Sequence, residues 1–123
     1  MTTLLIFDTT AAACSVALWR NGTVVADRYE PMPRGQAERL LPMIQEVLDD
    51  GSLNYGALDG VAVTCGPGAF TGLRIGLSAA RGLALAGNLP IVGLSTFDAL
   101  AIRADGPCLV AIDTKRRDLY LQT

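Results

Sequence analysis

A mixed α/β fold is predicted by three features: an Asn-Gly dipeptide between two β-rich runs, a helix-period stripe that follows them, and short apolar runs alternating with helical ones thereafter. The chain has 123 residues, 50% of them hydrophobic and 18% charged, with a formal net charge of −2. A domain of this size buries well over half of the surface its unfolded chain exposes, so folding requires neither disulfide nor metal.

Leu4-Leu5-Ile6-Phe7 is a short apolar run that ends in Asp8-Thr9-Thr10, a buried strand delivering one carboxylate and two hydroxyls at its carboxyl end. Residues 14–19 and 23–29 flank Arg20-Asn21-Gly22, a strong hairpin signal, so the first three strands are expected to form an antiparallel meander. Pro31 and Pro33 end it. From Gln36, the residues Ala37, Leu40, Leu41, Ile44, Val47 and Leu48 recur at helical spacing up to Asp49-Asp50-Gly51. Pro42 lies inside that pattern, so this helix is expected either to start late, near Glu38, or to kink.

Residues 58–64 form the next strand, leading through Cys65-Gly66-Pro67-Gly68-Ala69-Phe70-Thr71-Gly72 into a helix over about 73–86. Gly72, Gly76, Ala79, Ala80 and Gly82 predict that another backbone approaches this helix closely, since each interior glycine costs about 1 kcal/mol of helix propensity. Asn88-Leu89-Pro90 breaks it, Ile91-Val92-Gly93-Leu94 is a short strand, and Ser95 suits the N-cap of a helix to about Arg103. After Asp105-Gly106-Pro107, residues 108–112 and 119–122 are two β-rich runs around Asp113-Thr114-Lys115-Arg116-Arg117, the second still in progress at the last residue. The order β-β-β-α-β-α-β-α is that of an RNase H-like domain, the unit duplicated in actin-like and sugar-kinase ATPases. Residues 1–106 are expected to form that domain and residues 107–123 to begin a second, truncated one.

Composition removes several chemistries. With His 0 the chain cannot supply a Ser-His-Asp triad, a Cys-His pair or an HExxH zinc site. Cys14, Cys65 and Cys108 are odd in number and widely spaced, against a disulfide framework or structural zinc and in favour of a reducing cytoplasm. No basic leader precedes the first strand, and the apolar stretch 73–89 is cut by Arg74 and Arg81, so no membrane association is expected. Lys115-Arg116-Arg117 is too small a cluster for counterion release to hold nucleic acid, so any RNA would be held through a partner.

Two places carry candidate chemistry. Asp8 and Thr10 could face a metal-bound phosphate, or simply form an Asx-type turn opening the hairpin. Gly66, Gly68 and Thr71 precede a helix amino terminus, where free N–H groups favour an anion, yet the loop is neither GxGxxG nor a Walker sequence and lacks the lysine. Its alternative is a tight strand-to-helix turn. Cys65 has no histidine to activate it and reads as a buried small hydrophobe. Arg74 and Arg81, seven apart, share a helix face that is either solvated or paired with acidic groups. Leu40, Leu41, Met43, Ile44 and Val47 make an arc that Met43 widens beyond one sheet face, either a core stripe or an interface.

From Cys65 to Ala84 the sequence resembles the TsaB (YeaZ) family, the non-catalytic subunit of the bacterial tRNA threonylcarbamoyladenosine synthase. Leu5-Ile6-Phe7-Asp8-Thr9-Thr10, Glu38-Arg39-Leu40-Leu41-Pro42-Met43-Ile44, Pro90-Ile91-Val92-Gly93-Leu94-Ser95-Thr96 and Ala111-Ile112-Asp113-Thr114-Lys115-Arg116 agree with it in the same order. The resemblance implies the amino-terminal half of a duplicated actin-like fold. The catalytic relative, TsaD, carries two metal-binding histidines four apart where Thr96 and Leu100 stand here, so the resemblance implies no metal centre, no threonylcarbamoyl transfer and no peptidase activity by this chain.

It further implies a cytoplasmic scaffold for t6A modification of tRNA, whose partners are a TsaD-like catalytic subunit, a TsaE-like ATPase and a second copy of itself, with tRNA met only through the complex. The first two helices would supply the interface, through Leu40, Leu41, Met43, Ile44 and Val47 on one and Leu73, Arg74, Gly76, Leu77, Ala80 and Arg81 on the other. No cofactor would be tightly bound. Weak ATP or ADP binding in the complex would fall to Asp8, Thr10, Gly66, Gly68 and Thr71. A rival from a different class is an ATP-hydrolysing enzyme of the actin-like or sugar-kinase kind that uses Asp8 and the glycine loop.

Overall fold

Strands β1 (Thr3–Asp8), β2 (Ala13–Arg20) and β3 (Thr23–Pro31) form the antiparallel meander expected from the Asn-Gly turn. Asn21 and Gly22 both have positive φ, 50° and 89°, the mirror-image turn whose twist matches that of its strands. The Asn21 amide oxygen accepts the Thr2 backbone N–H at 2.8 Å, which ties the turn to the start of β1. The computed structural model describes residues 2–66, 70–94, 110–113 and 119–122.

Helix α1 (Gln36–Asp50) begins at Gln36 and runs through Pro42, so of the two alternatives expected, a late start near Glu38 or a kink, the late start is the one corrected. Pro42 lacks one N–H, and Leu40, Met43, Ile44, Val47 and Leu48, all buried on the same helix, more than offset the missing bond. A 3₁₀ turn at Tyr55–Ala57, absent from the sequence expectation, precedes β4 (Gly60–Thr64). Helix α2 (Phe70–Gly87) then crosses to β5 (Ile91–Leu94).

The sheet order is β3-β2-β1-β4-β5, with β4 parallel to β1 and β5 parallel to β4. Leu5 stands between Leu18 and Val61, and Phe7 between Val16 and Val63, so these six side chains share one face of the sheet. That face meets the buried side of α1 over β2 and β3, and α2 over β4 and β5, in a single core. The two runs near the end pair as β6 (Val110–Asp113) and β7 (Leu119–Gln122), an antiparallel two-stranded sheet. The expected helix from Ser95 to Arg103 and the boundary at residues 106–107 lie outside the described residues.

Charges fasten α1 to β3. Arg28 pairs with Glu46 and with Asp50 (2.9 Å), and Arg39 pairs with Glu46 and with Glu30 (2.9 Å). Glu46, held between two guanidinium groups, has its carboxyl below the usual carboxylate range, chiefly through the hydrogen bond from Arg39.

Candidate functional site

Parallel strands β1 and β4 end side by side, which brings Asp8, Thr9, Thr10, Thr64 and Gly66 to the same end of the sheet. One oxygen of Asp8, Oδ1, accepts the Thr10 backbone N–H at 2.7 Å, the Thr10 hydroxyl at 2.6 Å and the Thr64 hydroxyl at 2.8 Å. The first two bonds are an Asx-type turn, and the third ties β1 to β4. Thr9 and Thr10 are buried, at 1% and 4% exposure, so neither hydroxyl faces solvent.

Helix α2 closes over this turn. The Thr9 hydroxyl donates to the Gly72 carbonyl at 2.6 Å, and a Cβ on Gly72 would lie 2.0 Å from the Thr9 carbonyl oxygen. Gly76 faces the same residue, its would-be Cβ 3.0 Å from Thr9 Oγ1 and 3.1 Å from Val63. Between the Thr9–Thr10 turn and α2 these groups do not fit a phosphate, because their polar atoms bond one another and the gap is closed. Gly66, at φ 111°, is where the chain leaves β4, Thr71 is exposed on the first turn of α2, and Gly68 lies outside the described residues.

Cys65 is exposed, contrary to the buried hydrophobe expected of it, because β4 has ended at Thr64. Its sulfur sits where Gly93 on β5 would carry a side chain, 2.6 Å from that absent Cβ. Cys14, by contrast, is fully buried, and burial pushes its thiol pKa up to about 11.

Between the two helices runs an open groove of ≈ 580 Å³, lined by Ala37, Leu40, Leu41, Thr71, Arg74, Ile75, Ser78 and Ala79. Among the residues expected at an interface, Leu41 is 51% exposed and Arg74 and Arg81 are exposed, while Leu73 and Leu77 are half-buried. Leu40, Met43, Ile44, Val47, Gly76 and Ala80 are buried within this chain, which corrects the expectation that they form an outer surface. Met43 in particular is wholly covered and widens nothing. Gly82 is exposed with open space where its side chain would be, so it marks no close approach. Sequence reasoning singled out Ala79 as a site of close approach but did not place Ala37, Ile75 and Ser78 at a surface, although Ala37 stands four residues before Leu41 and Ser78 four after Arg74, the spacing of helical neighbours.

Residues 30–123 match the family model described as TsaD: tRNA N6-adenosine threonylcarbamoyltransferase. The tRNA threonylcarbamoyladenosine biosynthesis protein TsaB of Escherichia coli (strain K12) is 42% identical over 122 residues, 95% of this chain and 52% of that protein. The protein of the same name from Bacillus subtilis (strain 168) is 31% identical over 121 residues, 96% of this chain and 53% of that protein. A crystal structure from Pseudomonas aeruginosa, of an uncharacterized protein with similarity to peptidase YEAZ, superimposes with a TM-score of 0.88 at 40% identity, covering 98% of this chain and 58% of that one. YeaZ from the same organism gives a TM-score of 0.87 at 40% identity, over 98% of this chain and 59% of that one. The chain thus spans about half the length of the curated relatives it matches. Among the described residues no helix is long and apolar enough to cross a membrane. With the β1 to β5 sheet, the helix-covered face and the matched residues 30–123 in agreement, the chain belongs to the family described as TsaD: tRNA N6-adenosine threonylcarbamoyltransferase, and within it is similar to the TsaB (YeaZ) proteins over about half of their length.

Proposed function

We infer that this chain is the amino-terminal half of a non-catalytic partner subunit for t6A modification of tRNA, which binds and supports a TsaD-like catalytic subunit in the cytoplasm. The observation that carries this reading is the groove between α1 and α2, an open surface of ≈ 580 Å³ where Leu41 stands exposed beside Arg74. The likeness to TsaB proteins of two bacteria supports the process assigned. In this role the chain performs no transfer and no peptide hydrolysis. Its lack of histidine supports that, since the usual bases and metal ligands of both reactions are missing from its 123 residues. A TsaE-like ATPase and a second copy of the chain are further partners of the same assembly, with tRNA held by the complex.

A tightly bound nucleotide is not part of the proposal, and weak ATP or ADP binding belongs to the complex. The mutual bonding of Asp8, Thr9, Thr10, Thr64 and Gly72 supports this, because a phosphate must break those bonds to reach them. The test is light scattering on a sizing column with the chain alone and with its cognate TsaD-like subunit. A stoichiometric complex supports the reading. No complex, with ATP hydrolysis that Asp8→Ala abolishes, replaces it with an ATP-hydrolysing enzyme.

A further inference from the structure

We propose that Thr9 is a positioning residue, the seat that fixes how deeply α2 rests on the sheet and hence the shape of the groove. This rests on the reading of that groove as the partner surface. Thr9 belongs to neither helix and is not one of the residues lining the groove, so its influence passes through α2.

Four observations converge on it. Thr9 is 1% exposed, and its hydroxyl donates across a 63-residue separation to the Gly72 carbonyl at 2.6 Å. Its carbonyl oxygen occupies the notch left by the missing side chain of Gly72, 2.0 Å from an ideal Cβ and therefore incompatible with any larger residue. One turn on, Gly76 leaves the corresponding notch for the Thr9 hydroxyl. Ala80, a further turn on, is fully buried, so positions 72, 76 and 80 form one ridge of small residues lying on the sheet. Thr71, Arg74 and Ser78 stand on the side of the same helix that lines the groove.

The seat is itself braced. Asp8 Oδ1 gathers the Thr10 N–H, the Thr10 hydroxyl and the Thr64 hydroxyl, which holds the ends of β1 and β4 together beneath α2. Removing the buried Thr9 hydroxyl takes from the Gly72 carbonyl the donor that ties it to the β1 end, and an added Cβ at Gly72 pushes the helix outward by more than packed interiors absorb. In both cases α2 shifts, and the wall of the groove shifts with it.

The experiment compares Thr9→Val, which keeps shape and loses the donor, with Thr9→Ser, which keeps the donor, and adds Gly76→Ala as a milder wedge should Thr9→Val fold poorly. Hydrogen exchange on the free protein reads α2 against β2 and β3, and titration with the catalytic partner reads affinity. Thr9→Val and Gly76→Ala are expected to speed exchange of the amides at residues 73–80 by about tenfold with the β2 and β3 amides unchanged, and to weaken partner binding by about tenfold. Thr9→Ser should match the wild type in both. Exchange that rises equally over α2, β2 and β3, or Thr9→Val with wild-type exchange in α2, overturns the proposal. Wild-type protein that binds no partner overturns the functional reading instead, while the exchange measurement still decides the seat.

Discussion

Arg39 and Glu46, seven residues and about two turns apart on α1, pair along the helix surface while each also reaches β3, Arg39 to Glu30 and Glu46 to Arg28. The four side chains, with Asp50, make a clasp in which Glu46 alone contacts both cations. Glu46→Gln should therefore lower the thermal midpoint more than Asp50→Asn or Glu30→Gln. Because the Glu46 carboxyl titrates below its unfolded value, its contribution is present above that unfolded value and is lost as pH falls through the folded one. Thermal melts of the wild type and Glu46→Gln should accordingly converge on acidification, and added salt should shrink their difference.

Two leucine-like positions three residues apart separate packing from recognition. Leu41→Glu places its charge at a 51%-exposed site and is expected to leave circular dichroism and the thermal midpoint close to wild type while removing binding of the catalytic partner. Ile44→Glu buries an unpaired carboxylate at a site of 0% exposure and should unfold the chain. Binding by Leu41→Glu at wild-type affinity would move the interface away from the groove.

The glycines of α2 make opposite demands. Gly82→Ala adds a methyl group to open space in a helix and should raise unfolding free energy by about 0.5–1 kcal/mol. Gly72→Ala drives that methyl group into the Thr9 carbonyl and should destabilise the fold. Chemical denaturation of both variants checks the sign of each.

Cys14 and Cys65 differ in reactivity and in linkage to pH. In a Cys108→Ser background, a thiol reagent should label Cys65 in the native protein and Cys14 only on unfolding. The Cys14 pKa rises from 9.0 to about 11 on folding, so the native state holds its proton after the unfolded state has lost it. Stability therefore falls as pH climbs from 9.0 towards about 11, and Cys14→Ala should flatten that part of the profile.

Much of the fold is legible where local chemistry decides. Asn21-Gly22 names its turn, and the alternation of Leu5 and Phe7 names the buried face of β1. Burial on α1 needs more than periodicity. At about 100° per residue, Met43, Val47, Leu40, Ile44 and Leu48 span about 140° of the helix, and Leu41 falls about 20° outside that arc. A stripe of six apolar residues shows a centre, and only the neighbouring sheet shows which edge is left out. On α2 the wheel sets Gly82 about 80° from Gly72 and about 120° from the middle of the ridge of Gly72, Gly76 and Ala80, off the face that rests on the sheet, where a side chain would meet open space. Of the bonds to Asp8, the Asx-type turn with Thr10 was legible in the sequence and the one from Thr64 was not, because Thr64 lies 56 residues away and only the parallel pairing of β1 with β4 brings it there.

That parallel pairing also orders the assembly of the chain. The meander and its turn close over short separations, whereas β1 can receive β4 only after a loop that includes all of β2, β3 and α1 has been drawn in, and loop closure slows non-local pairing. Residues 3–31 can pair while a ribosome is still delivering the rest, with the β4 edge of β1 open until residues 60–64 emerge. During synthesis, the exposed flank of β1 is then the place where a nascent chain meets a chaperone or another copy's strand.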